Sequence, residues 1–134
     1  MQKLMAHAAV CGFPAESCEL QWSFDGRAVV MVAQSASIGT VKIEADNVFA
    51  ALVELRLLLE VGGRLLLCNA ARKDAYPSRM LLEMGGGRKT YLLRRGERAA
   101  KEDLVDVFEP ATYEQVSTVA EQRQAYEEWL GSLS

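Results

Sequence analysis

Alternating apolar and polar residues from Glu19 to Ala45 constrain the fold of this chain more than any other feature. Leu20–Phe24 alternates with the two-residue period of a half-buried strand. Asp25-Gly26 predicts a hairpin turn, because both residues tolerate positive φ, and Ala28–Ala33 is the returning strand. A second alternating run predicts a third strand at Ile38–Ala45. The segment therefore predicts an antiparallel meander with one face against the core.

A long apolar segment from Val48 to Val61 follows the meander and predicts a helix. Asp46-Asn47 supplies an N-cap for this helix, and Gly62-Gly63 supplies a stop. The segment is apolar over more than one face, so we expect the helix to be buried against the sheet. The next run, Arg64–Cys68, is apolar without alternation and predicts a central strand.

The rest of the chain predicts shorter elements. Lys3–Cys11 predicts a short helix that ends at Gly12–Pro14. Thr118 and Glu121 form a capping box that opens a helix over Val119–Leu133. The remaining predicted elements are a short helix from Pro77 to Met84 and strands over Lys89–Arg95 and from Leu104 to Phe108. Together they predict one α+β domain over residues 1–134, with an antiparallel-rich sheet of about five or six strands and two main helices packed on one face.

The composition argues against several classes of protein. The chain has 134 residues, of which 50% are hydrophobic and 25% charged, so it is long enough to bury a core and differs from disordered proteins. No apolar run approaches the ~20 residues needed to span a membrane, and we expect no membrane partner. Residues 1–13 lack the apolar core of a signal peptide, so we expect a cytoplasmic protein.

Residues that commonly carry catalysis or bind metals are sparse. His7 is the one histidine in the chain and has no chemical partner nearby in sequence. The cysteines Cys11, Cys18 and Cys68 lack the spacing of a metal site. Cys11 and Cys18 are near enough in sequence to pair, but a reducing cytoplasm favours free thiols. We therefore expect no metal and no cofactor, and the sequence favours a protein without enzymatic activity.

Charge is distributed unevenly along the chain, although the net charge is only −3. Residues 63–101 carry 10 basic and 3 acidic side chains, a net charge of +7, whereas residues 102–134 carry 1 basic and 8 acidic side chains, a net charge of −7. The simpler interpretation is that the outer parts fold around the middle and neutralise it. The alternative is a basic face for an anionic partner. Few aromatic residues accompany the basic ones, which disfavours nucleic acid.

The loop after the predicted central strand carries the densest polar chemistry. Loops at strand ends often hold binding residues, so Asn69–Arg79 is a candidate site. Its arginines can hold a carboxylate or phosphate in bidentate geometry. The alternative is a loop fixed by its own network, in which Asp74 pairs with Arg72 or Arg79. The candidate ligand- or partner-binding residues are Asn69, Arg72, Lys73, Asp74, Tyr76, Ser78 and Arg79 in the loop, with Arg88 and Lys89 beyond it.

Three glycines, Gly85–Gly87, precede Arg88 and Lys89 and suggest a phosphate-binding loop by composition. A P-loop requires a strand, then the glycines, then Lys-Ser or Lys-Thr at the start of a helix. Here a strand follows the glycines, so the run predicts a mobile turn instead.

Three segments of the chain carry a family resemblance. They are LLLCNAARKDAYPSRMLLEMGGGRKTYLL, EDLVDVFEPA and EEWLGSL, within Phe49–Leu133. They resemble a family of small bacterial proteins with the pattern LLCNGARxDVYPSGM, then a glycine-bearing turn, then DLVDIFDP. Members of this family resemble products encoded beside polymorphic or Rhs-type toxins, which implies an immunity or accessory protein. The chain departs from the pattern at Ala70 and Arg79, where the pattern has glycine.

Three hypotheses about function remain open. The leading one is a non-catalytic interaction protein, an immunity protein that binds and neutralises a cognate toxin. The second is a small anionic-ligand-binding or enzymatic domain that uses the Asn69–Arg79 loop, and the third is a nucleic-acid-binding accessory protein. A protein partner has two candidate surfaces. One is the basic loop with Arg88 and Lys89, and the other is an acidic face at Glu121, Glu127 and Glu128. The acidic face suits a toxin that acts on nucleic acid or nucleotides, because such toxins have cationic sites, and the basic loop suits a toxin of any other kind. The oligomeric state is left open.

Overall fold

The structure is a computed structural model that describes residues 3–11 and 16–133, and the backbone alone at residues 3–9 and 11. Five antiparallel strands form its larger sheet, and their order across the sheet is fourth, third, second, first, fifth. In chain order they are β1 (Lys3–Cys11), β2 (Glu16–Phe24), β3 (Val29–Ser35), β4 (Gly39–Ala45) and β5 (Leu65–Leu67).

The predicted meander is confirmed in β2, β3 and β4. Trp22 of β2 lies opposite Met31 of β3, which in turn lies opposite Ile43 of β4, and all three side chains are buried. At the first turn Gly26 adopts a φ of 93°, which favours glycine. The Asp25 carboxylate accepts the backbone N–H groups two and three residues ahead, both at 2.9 Å. The alternating pattern and the turn residues therefore set both the strands and their register.

The prediction of a helix at Lys3–Cys11 is wrong, because this segment is β1. It pairs with β2 from Lys3 to Val10 and with β5 from Ala9 to Cys11. The local sequence is rich in alanine, which favours a helix. Pairing with the next strand, β2, and with the distant strand β5 supplies backbone hydrogen bonds to this segment, and this outweighs the weak local preference. The predicted helix stop at Gly12–Pro14 lies outside the described residues.

The strand predicted at Arg64–Cys68 forms, but it lies at one edge of the sheet and not at its centre. The outer side of β5 is covered by a later segment of the chain. Cys68 forms a single β-bridge with Pro110, and the Ala111 N–H donates to the Leu67 carbonyl at 3.2 Å. This coverage explains why an edge strand has the continuous apolar sequence of a central one.

The predicted helix at Val48–Val61 is confirmed with the same bounds and is called α1. The Asn47 side chain accepts the Ala50 N–H at 2.8 Å and caps the helix start. The helix packs on β3, β4 and β5. Its burial is one-sided, because Leu57, Leu58 and Val61 remain exposed on the outer face. The buried residues of the helix are Val48, Phe49, Ala51, Leu52, Leu55, Arg56 and Leu59.

The three-glycine run packs against the start of α1. The Val48 N–H donates to the Gly86 carbonyl at 2.8 Å, so the turn satisfies a helix N-terminal donor. Gly87 has a φ of 72°, and a Cβ atom at this position would lie 2.6 Å from the Asn47 side-chain oxygen. This close approach requires glycine at position 87.

A second, three-stranded antiparallel sheet follows the first. Its strands are β6 (Ala75–Tyr76), β7 (Lys89–Leu92) and β8 (Leu104–Asp106), with β7 in the middle. Two helices accompany it: α2 (Arg79–Glu83), capped by Ser78, and α3 (Val119–Gly131), opened by the predicted capping box. Within residues 3–11 and 16–133, no helix is long and apolar enough to cross a membrane.

The predicted α+β class and the antiparallel pairing are confirmed, but the strands divide between two sheets. The chain leaves the larger sheet after β5 through a 3-10 turn, Asn69–Ala71, and begins the smaller sheet at β6. The arrangement of the helices also differs from the prediction. While α1 lies on the larger sheet, α3 contacts α1 and β6. The two helices therefore do not share one face of one sheet.

Candidate functional site

The backbone of the candidate loop is held from both sides. The Lys73 N–H donates to the Gln115 carbonyl at 2.8 Å, and the Leu93 N–H donates to the Asp74 carbonyl at 2.7 Å. A single β-bridge joins Arg72 to Val116. Each of these contacts joins segments far apart in sequence, so the loop is a fixed part of the fold.

Two buried polar side chains support the loop from beneath. Arg56 of α1 and Gln122 of α3 are 1% and 2% exposed. Arg56 donates through Nη1 to Gln122 Oε1 at 2.7 Å and to the Ala70 carbonyl at 3.2 Å, and through Nη2 to the Ser117 carbonyl at 3.0 Å. Burial lowers the pKa of the Arg56 guanidinium, and the Glu60 carboxylate opposes that shift. The group remains protonated, because an arginine side chain is not deprotonated in proteins.

Gln122 extends the same network to the loop backbone. Its Nε2 group lies within donating distance of three carbonyl oxygens: Ala70 at 2.8 Å, Arg72 at 2.9 Å and Ala75 at 3.0 Å. Neither Arg56 nor Gln122 is among the site residues predicted from the sequence. For Arg56 a signal exists, because Leu52, Leu55, Arg56 and Leu59 share the buried face at helical spacing.

Four of the predicted site residues have partners in the loop or in the segments beside it. Asn69 is buried and donates through Nδ2 to the Asp106 carbonyl at 3.1 Å. Arg72 and Asp74 form a bidentate pair, with Nε–Oδ1 and Nη2–Oδ2 both at 2.8 Å, and this pair raises the pKa of Arg72. Ser78 accepts the Leu81 N–H at 3.1 Å. The loop thus contains the Asp74–Arg72 pair that the alternative interpretation predicted.

Tyr76 belongs to a row of aromatic rings between the loop and α3. Its ring stacks on Tyr126 with centroids 4.0 Å apart, and Tyr126 stacks on Trp129 at 5.9 Å. Phe49 of α1 meets the Tyr76 ring edge-on, with centroids 5.7 Å apart. Arg123 donates to the Tyr76 hydroxyl at 3.3 Å. Tyr76 is therefore a packing residue between α1 and α3.

Trp129 fixes the segment that follows β7. Its Nε1 group lies 3.0 Å from the Arg94 carbonyl and 2.9 Å from the Glu97 carbonyl. Nearby, the Gly96 N–H donates to the Ser132 hydroxyl at 2.8 Å. The end of α3 is therefore attached by side-chain contacts to the segment that follows β7.

Three further basic candidates, Arg79, Arg88 and Lys89, each have a different neighbour. Arg79 pairs with Glu83 at 3.1 Å on the exposed surface of α2. The Arg88 guanidinium lies over the Trp22 ring, 5.3 Å from its centroid. Lys89 is exposed and pairs in register with Asp106 of β8.

Glycine is not required at the two positions where the chain departs from the family pattern. Ala70 and Arg79 both have negative φ, since every described residue with positive φ is glycine. Ala70 is buried in the 3-10 turn, while Arg79 projects from the first residue of α2.

The acidic candidates all lie on the exposed surface of α3. The Glu121 carboxylate accepts the Thr118 N–H at 2.9 Å, and this capping bond lowers the pKa of Glu121. Glu127 accepts Arg123 Nε at 3.2 Å, and Glu128 accepts Gln124 Nε2 at 3.3 Å. Exposed pairs one helical turn apart contribute little to stability, so Glu127 and Glu128 can exchange these partners for others.

A cleft of about 430 Å³ lies between the loop and α3. It contains Lys73 and Arg95, for which no salt bridge occurs within the described part of the chain. The cleft brings together three loop candidates and one acidic candidate, and adds residues that the sequence analysis missed. Its lining is Arg72, Lys73, Asp74, Ala75, Leu93, Arg95, Glu114, Gln115, Ala125, Tyr126, Glu128 and Trp129.

Neither a metal site nor a similar protein indicates what the cleft binds. In the described ranges, no group of three His, Cys, Asp or Glu side chains is placed to hold a metal ion. Comparison of the chain with protein-family models and with curated proteins gives no match.

Proposed function

We propose that this chain is a non-catalytic interaction protein, an immunity protein that binds a bacterial toxin domain and neutralises it in the cytoplasm. The acidic face of α3 carries this proposal. Glu121, Glu127 and Glu128 are exposed on a helix that buries Gln122 toward the body of the protein. The family resemblance of the Phe49–Leu133 region points to the same class of protein.

The attachment of α3 makes this face suitable for recognition. Gln122 holds the first turns of the helix to the loop, and Trp129 holds its last turns to the segment after β7. A surface that is already ordered loses little conformational entropy on binding, so more of the contact energy appears as affinity.

The charge of the face indicates the kind of target. Residues 102–134 have a net charge of −7. A toxin that attacks nucleic acid or nucleotides has a cationic site, and complementary charge accelerates association with such a site. The face formed by Glu121, Glu127 and Glu128 would cover that site and exclude its substrate.

Co-expression tests this proposal. The reading frames beside the gene for this chain are screened for a domain that stops growth. That domain is produced with and without this chain, and growth is measured alongside calorimetric binding of the purified pair. We expect protection of growth and a tight complex. Glu127→Lys with Glu128→Lys should weaken both, whereas the control Glu19→Lys with Glu54→Lys, which changes the charge equally at exposed sites elsewhere, should not. A chain that neither binds nor protects would contradict the proposal.

The cleft favours a second candidate, a site for a small anionic ligand. Lys73 and Arg95 face the same cleft as Tyr126 and Trp129, so two cations adjoin an aromatic wall. This combination suits a phosphate or carboxylate attached to a planar ring, because arginine and lysine bind the anion and the ring stacks. Arg72 lines the cleft and Arg79 does not, so only one of the two loop arginines predicted to hold an anion belongs to this candidate site.

A titration with named probes tests the ligand site. Inorganic phosphate and a nucleoside monophosphate are added to the protein, and amide shifts of the cleft residues are followed by NMR. Saturable shifts that Lys73→Ala with Arg95→Ala abolishes would support the site. The matched control is Lys89→Ala with Arg27→Ala, at exposed positions outside the cleft. Shifts that are absent, or equal in both variants, would exclude it.

A further inference from the structure

The two edges of the larger sheet are finished differently. The outer side of β5 is covered by the Pro110–Ala111 segment. In the part of the chain that the structure describes, no strand pairs with the outer side of β4. Gly39–Ala45 therefore presents the N–H and C=O groups of its outer side without a ladder partner. Such an edge is a template for another strand.

The side chains of β4 alternate strictly between the two faces of the sheet. Ile43 is buried against the core, with Val41 and Ala45 half-buried on the same face. Lys42 and Glu44 are exposed on the other face, with Nζ and Oε1 4.0 Å apart. The strand thus carries a positive charge immediately before Ile43 and a negative charge immediately after it.

This arrangement is self-complementary about Ile43. If a second copy of β4 pairs antiparallel with its Ile43 opposite this Ile43, Lys42 lies opposite Glu44 of the copy, and Glu44 lies opposite Lys42 of the copy. Opposite residues of an antiparallel pair share a face, so both charge pairs lie on the exposed side. On the inner side, Val41 meets Ala45 of the copy, and the apolar layer continues.

Neighbouring registers lack this complementarity. A shift that places Lys42 opposite Lys42 of the copy, or Glu44 opposite Glu44, brings like charges together, which is destabilising. A shift by a single residue turns the apolar face of one copy toward solvent. We propose that this protein forms a two-fold symmetric dimer in which β4 pairs with β4 of a second copy, centred on Ile43.

The main-chain hydrogen bonds of the edge supply the affinity of such a dimer, and the two charge pairs select the register. The pairing leaves α3 and the cleft outside the interface, since neither includes β4. The dimer is therefore independent of the function proposed above and stands or falls on its own test.

Sedimentation of charge-swap variants tests the dimer. The wild-type protein should dissociate from dimer to monomer on dilution. Lys42→Glu alone and Glu44→Lys alone each replace two attractive pairs by two repulsive ones, so the dissociation constant should rise by about tenfold or more. The double variant Lys42→Glu with Glu44→Lys restores opposite charges across the interface and should return the constant to near its wild-type value.

Lys89→Glu serves as the control for the change in net charge and should leave the dissociation constant unchanged. Circular dichroism establishes that each variant is folded. A wild-type protein that is monomeric at every concentration would overturn the proposal. A dimer that the single variants do not weaken, or that the double variant does not restore, would overturn it equally.

Discussion

Arg56 of α1 donates a hydrogen bond of 2.7 Å to the side-chain oxygen of Gln122, which lies 66 residues later in α3. Both side chains are buried, and their other bonds end on the backbone of the candidate loop and the segment before α3. A charged residue therefore occupies a helix face that otherwise packs against the core. It connects α1 to α3 and to the backbone of the candidate loop.

The first prediction concerns this network. Arg56→Met keeps most of the side-chain volume but leaves Gln122 Oε1 and the Ser117 carbonyl without their donor. Buried acceptors that lose a partner are costly, so the free energy of unfolding should fall by about 2–3 kcal/mol. Urea unfolding measures this loss. Arg27→Met, at an exposed arginine, should change stability by less than about 0.5 kcal/mol. Equal effects of the two substitutions would show that the Arg56 network adds nothing to the free energy of unfolding.

Local signals predicted the elements whose ends are set by neighbouring residues. Asn47 and the glycines after Val61 gave the bounds of α1, and Thr118 with Glu121 gave the start of α3. Each of these signals acts within one helical turn, so it is readable in the sequence without knowledge of the fold.

The errors came from pairing between segments, which the sequence of one segment alone does not specify. The assignment of Lys3–Cys11 as a helix failed because two other strands pair with it. The prediction of a single sheet was wrong because the chain turns at Asn69–Ala71 and then forms a second sheet, in which β6 pairs with β7. The burial of Arg56 depends on carbonyl groups that only the folded loop presents. Sequence periodicity carries none of this information.

The second prediction concerns the glycine turn at the start of α1. Gly87→Ala places a Cβ atom 2.6 Å from the Asn47 side-chain oxygen and 2.8 Å from the Phe49 nitrogen. Gly96→Ala is the matched control, because Gly96 has a similar φ but no atom within 4 Å of the added Cβ. The control should lose about 1 kcal/mol from backbone strain alone. Gly87→Ala should lose about 2 kcal/mol more, as overpacking does. Equal losses would mean that the turn yields without cost.

The third prediction concerns stability at low pH. The capping bond from Thr118 lowers the pKa of Glu121 in the folded protein, so its contribution is present above the ordinary carboxyl pKa of about 4.3 and is lost as pH falls through the lower folded value. The urea concentration at the unfolding midpoint should therefore decrease as the pH is lowered below about 4.5. In Glu121→Gln this decrease should be smaller. Glu16 and Asp25 also have lowered pKa values, so part of the fall remains. An unchanged profile would exclude a contribution from Glu121.

The fourth prediction concerns the cysteines. Cys18 lies opposite Ala8 of β1, and Cys11 is three residues further along that strand. Three residues span about 10 Å of a strand. The Cα atoms of Cys11 and Cys18 are therefore farther apart than the ~7 Å that a disulfide can bridge. Cys18 and Cys68 are buried, and burial raises the pKa of each thiol to about 11. Both should react slowly with a thiol reagent until the protein is unfolded. Mass measurement after alkylation under non-reducing denaturing conditions should show free thiols. A loss of two protons from the reduced mass would refute this.

The central proposal is that the acidic face of α3 contacts a cationic toxin. The rate constant for association of the two proteins tests it most directly. Stopped-flow mixing of this protein with a toxic domain found by the co-expression screen should give a rate constant that falls steeply as salt is added. Glu127→Lys with Glu128→Lys should slow association at low salt by about tenfold or more and flatten the salt dependence. A rate constant that this variant leaves unchanged, with the same salt dependence as the parent, would contradict the claim.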